Sequence, residues 1–150
     1  MSEVTVRQAT PADLGALVPL FDAYRQFYGR DSNPLAAGNF LRQRLERGES
    51  VLFIAHDDAT PLGFTQLYPS FSSVSLGRIF VLNDLFVHER GRKKGVGTAL
   101  LNAATEFARA AGAVRLTLST ATTNHVAQSV YAAAGWKRDE QFYVYNFALA

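Results

Sequence analysis

Hydrophobic positions change period along this chain, and each change marks an element. Val4 and Val6 alternate with polar neighbours, which predicts a short opening strand. Thr10, Pro11 and Asp13 then announce a helix: a capping hydroxyl, a proline suited to the first turn, and an acid at the capping-box position. Leu14, Leu17, Val18 and Phe21 form its apolar stripe, which Tyr24, Phe27 and Tyr28 continue to Gly29. A second helix is expected from Pro34 to Arg47, with Phe40, Leu41 and Leu45 on its apolar face and Gly48 at its end. Strands follow at Ser50 to His56 and Leu62 to Tyr68, with a turn between them and a loop from Pro69 to Ser75. Arg78 to His88 reads as a long strand. A helix opening at Gly95 carries Leu100, Leu101, Ala104 and Phe107 on one face and ends near Gly112. A strand at Val114 to Ser119 and a helix from Asn124 to Ala134, closed by Gly135, come next. Trp136 to Leu149 carries enough aromatics for one or two final strands, with Phe142, Tyr143, Tyr145 and Phe147 as core. The order β-α-α-β-β-β-α-β-α-β(β) predicts a single mixed α/β domain spanning residues 1–150, its central sheet flanked by helices.

Composition narrows the chemistry. A chain of 150 residues, 48% hydrophobic, can bury a real core. With no cysteine, disulfides, thiolate metal sites and a cysteine nucleophile are excluded. No metal site is expected. Ser2, Glu3 and Val4 follow Met1 without a basic start leading into an apolar run, and no segment approaches the ~18 apolar residues of a membrane span. A cytoplasmic protein without membrane contact is the expectation. The net charge of +2 says little, but Arg90, Arg92, Lys93 and Lys94 lie close together. Such a run is either a solvated loop or an anion site. It is too short, and the aromatics too apolar in context, for a nucleic-acid surface.

The anion reading gains from what surrounds the run. A strand, Val81 to Val87, leads into Arg92-Lys93-Lys94-Gly95-Val96-Gly97-Thr98 and then a helix. A helix start offers unpaired N–H groups and the positive end of its dipole, and glycines let an anion approach the backbone. The spacing is not GxxxxGK[ST], and Leu100 stands where a dinucleotide fingerprint needs a third small residue. What remains is [QR]xxGx[GA] between a strand and a helix. That segment resembles the coenzyme A loop of the GNAT acetyltransferases. Val6-Arg7-Gln8-Ala9-Thr10 with Asp13 is similar to the family's opening. Asn124, Ala127, Tyr131, Gly135 and Trp136 resemble its NxxAxxxYxxxGF segment, with Trp for Phe.

The resemblance implies an acetyl-CoA-dependent N-acetyltransferase acting on a small-molecule amine, polyamine- or amino-acid-like. A protein lysine or N-terminal acetyltransferase and a non-catalytic acyl-CoA sensor are the alternatives. It implies that backbone amides of Arg92, Lys93, Lys94, Gly95, Val96, Gly97 and Thr98 hold the pyrophosphate, and that Leu85, Phe86 and Val87 pair with the pantetheine arm. Asn124 would contact the coenzyme, cap its helix, or both. Tyr131 matches the family's general acid, its other reading being a core aromatic. Asp84, next to Asn83, is the candidate base, directly or through a water, with proton loss to ordered water as the alternative. In a regular strand Asp84, Phe86 and His88 share one face, so only a bulge would turn Asp84 into the cleft. His88 and His125 read as surface or capping residues. Tyr24, Tyr28, Phe71, Ser72 and Asn83 are candidate substrate contacts, with Phe27 more of a core residue than Tyr28. Relatives are often homodimers, which sets that expectation here.

Overall fold

The computed structural model describes residues 3–150, which form two compact units: one ends at Ser119, and the other runs from Thr120 to Ala150. No helix among the described residues is long and apolar enough to cross a membrane.

The first unit is built on a five-stranded sheet in the order β1-β2-β3-β4-β5. β1 is Val4–Gln8, β2 Val51–Asp57, β3 Thr60–Ser72, β4 Gly77–Val87 and β5 Arg115–Thr117. The first four pair antiparallel, whereas β5 runs parallel to β4. The helices are α1 (Leu14–Phe27), α2 (Pro34–Glu46) and α3 (Val96–Ala110). Leu17, Leu20 and Phe21 of α1 and Leu41 of α2 pack with Leu52, Ile54 and Phe64 of the sheet. Phe107 of α3 meets Phe53 and Phe80 on the opposite face. The sheet is thus covered on both sides, as a mixed sheet of this kind requires.

Local chemistry sets the element boundaries. Pro11–Asp13 is a 3₁₀ turn before α1. Asp13 Oδ2 accepts the Thr10 N–H at 2.8 Å, and Arg7 grips both Asp13 oxygens at 2.6 and 2.9 Å. Asn33 caps α2 through the Ala36 N–H. Buried Asp22 accepts from Ser32 Oγ (2.7 Å), the Asn33 N–H (2.8 Å) and Gln26 Nε2 (3.2 Å), which fixes the α1–α2 connection to the end of α1. These bonds hold the Asp22 carboxyl below its ordinary value.

Three expectations need correction. The segment expected as a loop from Pro69 is the continuation of β3, paired with β4 as far as Ser72 opposite Gly77. β2 ends opposite Leu67, so β3 beyond it has an open edge that a residue without an N–H can face at no loss. Phe27 is not core but 63% exposed, slightly more than Tyr28. Finally, residues 136–150 carry no strand, and Phe142, Tyr143, Tyr145 and Phe147 are exposed. The second unit contains one helix, α4 (His125–Ala133), and no strand with which an aromatic-rich segment could form a ladder.

Candidate active site

The site begins with an irregularity in β4. Gln66 of β3 pairs with Asp84, but the next residue, Leu67, pairs with Leu82. Asn83 is therefore the extra residue of a β-bulge. A regular strand would give Phe80, Leu82, Asp84 and Phe86 one common face. Phe80 packs on Phe107 of α3, whereas Phe86 packs with Tyr24 of α1. The bulge reverses the alternation, and Asp84, opposite Gln66, falls on the α1/α2 face with Phe86. Leu85 and Val87 fall on the other face, where Val87 approaches Gly97 of α3.

Asp84 is 5% exposed, and its carboxylate is not left bare. Gln66 Nε2 donates to Oδ2 at 2.8 Å and Asn83 Nδ2 to Oδ1 at 3.1 Å. The Tyr24 hydroxyl, which donates to the Asn83 carbonyl oxygen at 3.4 Å, also favours the ionised form. Burial nevertheless outweighs these donors and pushes the Asp84 carboxyl above its ordinary range. Next to it, burial and the charge of Asp84 push Tyr68 up to about 12, against a smaller pull downward from Arg44 of α2. Tyr68 therefore stays a neutral phenol throughout the physiological range.

Aromatic rings continue outward from this carboxylate. Tyr24 packs edge-on against Phe64, Phe86 and Tyr28, and Tyr28 against Phe27. The predicted substrate contacts Tyr24, Tyr28 and Asn83 thus lie on the side of the sheet that carries Asp84. Phe71 and Ser72 lie instead at the tip of the β3–β4 hairpin, opposite Arg78 and Gly77. Phe71 lies under the Arg78 guanidinium, 4.1 Å away, and Ser72 Oγ accepts the Ser75 N–H at the hairpin tip.

The other side of β4 is open. β5 pairs only with Ile79, Phe80 and Val81, so from Leu82 to Val87 this edge has no strand partner among the described residues. An open edge accepts an extended ligand by backbone hydrogen bonds. It leads to the basic loop. Gly95, with φ +75°, caps α3 in a conformation that a side chain resists. Lys93 also takes positive φ, and Lys94 leans toward Asp57 at 3.8 Å. Gly97 is informative for a different reason. A Cβ built there meets only Val87, at an ordinary 3.9 Å, and its φ needs no glycine. Nothing in the fold requires glycine at 97, and glycine weakens a helix. Space left above a helix start, where Val96, Gly97 and Thr98 offer N–H groups without helical partners, suits a phosphate.

In the second unit Asn124 caps α4, its Oδ1 accepting the Ala127 N–H at 3.2 Å. Tyr131 is half-buried and packs on Trp136, ring centroids 6.2 Å apart. Two site residues escaped the sequence reading, Gln66 and Tyr68. Gln66 had a readable signal: an amide in the middle of the apolar strand Leu62 to Tyr68, the kind of buried polar group that needs a reason. Tyr68 had none, since tyrosine is ordinary in a strand.

The model of the Acetyltransferase (GNAT) family matches residues 17–136, including both the bulged strand and the glycine loop. The chain belongs to the GNAT acetyltransferase family. Among GNAT relatives, the uncharacterized N-acetyltransferase YhfO of Bacillus subtilis is 47% identical over 142 residues, 95% of each chain. The D-amino-acid N-acetyltransferase of Saccharomyces cerevisiae is 32% identical over 146 residues, 95% of this chain and 91% of its own. A crystal structure of a probable acetyltransferase superposes with a TM-score of 0.92 at 44% identity, covering 97% of this chain and 98% of that one. The protein is accordingly an acyltransferase, and the mixed sheet with its helices is the GNAT fold.

Proposed function

We propose that this GNAT enzyme transfers the acetyl group of acetyl-CoA to a primary amine of a small molecule by direct attack. The observation that carries the reading is the Asn83 bulge. It turns a buried carboxyl, its pKa raised by that burial, to the α1/α2 face, beside the stretch of β4 that β5 leaves unpaired from Leu82 onward.

The coenzyme lies along that edge, its pantetheine arm paired with the backbone of Leu85 to Val87. Its pyrophosphate rests on the amides from Arg92 to Thr98, in the space over Gly97, with Asn124 as a further contact. An amine arrives largely as an ammonium ion, since its ordinary pKa is near ~10. Asp84 attracts that cation, and Tyr24, Tyr28 and Phe27 offer ring faces to its alkyl chain. One ammonium proton passes to Asp84 and frees the lone pair with which the nitrogen bonds to the thioester carbonyl carbon, and an N–H at the bulged strand meets the developing oxyanion. A carboxylate of ordinary pKa is a poor base for this step, so the upward shift of Asp84 favours it. The carbon–sulfur bond then breaks, the Tyr131 hydroxyl protonates the thiolate, and the remaining surplus proton of the adduct nitrogen passes to the Tyr131 oxygen, which restores the phenol and leaves a neutral amide. A negative wall with aromatic neighbours favours polyamine- or amino-acid-like amines. The yeast relative, named for D-amino acids, supports the latter.

The test is release of coenzyme A thiol from acetyl-CoA with spermidine, D-phenylalanine, kanamycin and a lysine peptide, for wild type and Tyr131→Phe. Turnover of a small amine, reduced on the order of 100-fold in Tyr131→Phe, is expected. Coenzyme binding without turnover of any amine would favour a sensor. Preference for the peptide would favour a protein acetyltransferase, and full activity in Tyr131→Phe would remove that residue from the mechanism.

A further inference from the structure

Gln66 lies at the centre of β3 and is completely buried. Its two amide atoms have opposite fates. Nε2 donates to Asp84 Oδ2 at 2.8 Å, while Oε1, shut away from solvent, has no hydrogen-bond partner. A buried amide oxygen without a donor is costly, and such a group in a native fold calls for a reason. The neighbours narrow what that reason is. From α1, the Tyr24 hydroxyl donates to the Asn83 carbonyl oxygen and favours the carboxylate; from β4, Asn83 Nδ2 donates to Asp84; Tyr68 of β3 is held neutral. Arg44 of α2, the cation on this side, is paired with Glu49 at 3.0 Å. In this arrangement Asn83 faces Asp84 as a donor, whereas Gln66 Oε1 is an acceptor on the same amide as the Nε2 donor and has no partner.

That matters because the two protonation states of a carboxyl group need different partners. Ionised, Asp84 accepts only. Once it takes a proton from the amine, an N–H bond has been exchanged for an O–H bond, and the new O–H needs an acceptor. A primary amide is a side chain that meets both needs on one stem: rotation by half a turn puts oxygen where the N–H₂ group was. We propose that Gln66 is a positioning residue whose amide serves both states of Asp84, donating Nε2 to the carboxylate and turning Oε1 to accept from the acid. The unpartnered oxygen is then the half of the device that the ionised state does not use. This rests on Asp84 as the base, but it concerns the group behind the base, which never touches substrate.

The experiment is an NMR pH titration of isotopically labelled protein, following the Asp84 carboxyl carbon and the Gln66 side-chain amide, in wild type and in Gln66→Met. No substrate is needed. The Gln66 amide signals are expected to titrate with the Asp84 midpoint, and the Asp84 midpoint to move to higher pH in Gln66→Met, because a donor to the carboxylate is lost. The kcat/KM profile of Gln66→Met should show its acid limb displaced the same way. At the wild-type midpoint its rate falls about tenfold, the scale of one charge-assisted hydrogen bond. A Gln66 amide that stays flat through the Asp84 titration, or an Asp84 midpoint unmoved in Gln66→Met, would overturn the inference. The wild-type titration decides even if the variant fails to fold. Full activity in Asp84→Asn would instead sink the base assignment, whatever Gln66 does.

Discussion

Burial and hydrogen bonding pull the Asp84 carboxyl in opposite directions, and burial wins. The native state therefore holds this proton more tightly than the unfolded chain does. Protonation favours the fold below the ordinary carboxylate range, and that contribution is lost as pH rises through the raised folded value. Asp84→Asn should then melt at the wild-type temperature or above at neutral pH, with the difference closing as pH falls. Its acetyl transfer should drop at least about 100-fold. Matched calorimetry and rate measurements check both halves; a large loss of stability with little loss of rate would mark Asp84 as structural. Asp13 behaves in the opposite sense. Bonds from Arg7 and the Thr10 backbone bring its pKa from 3.8 down to about 2. Its contribution is present above the ordinary value and lost as pH falls toward about 2. Because the Arg7 side chain is 50% exposed, screening limits the pair to about 1 kcal/mol. Arg7→Ala should lower the unfolding free energy from urea titration at pH 7 by about that amount, and the gap should shrink in acid.

At the scale of elements, the junction of β4 with α3 does two jobs. The bulge at Asn83 sets which face each later residue of β4 presents, and the loop after β4 brings backbone N–H groups to the start of α3. Much of this was legible. Strand, basic loop and helix follow from the residues, and the positive φ of Gly95 is what a glycine before a helix suggests. The bulge was not legible, because alternation alone describes a regular strand and the extra residue shows only in the register with β3. The extension of β3 through Pro69 was missed for a similar reason: proline argues against a strand unless one edge is known to be open. Gly97 separates fold from function at this junction. Gly97→Ala should leave stability unchanged or raise it by up to about 1 kcal/mol, since the new methyl meets no close neighbour. It should weaken coenzyme A binding about tenfold by calorimetry, equivalent to ~1.4 kcal/mol. Unchanged affinity would mean that the space over Gly97 holds no ligand.

At the scale of the molecule, the order of strands and helices read from the pattern is the order found up to α4, and it places the chain in the GNAT family together with its relatives. The aromatic segment after Trp136 departs from that order, since the second unit contains one helix and no strand. Asp84 and the glycine loop belong to the first compact unit, Tyr131 and Asn124 to the second. Incubation of the purified protein with isotope-labelled acetyl-CoA and a mixture of small amines, followed by mass spectrometry of the products, tests the central claim most directly. The expected result is an N-acetylated small amine carrying the label, formed by wild type and nearly absent with Asp84→Asn. Consumption of acetyl-CoA with the label only in free acetate, or no consumption despite coenzyme binding, would contradict it.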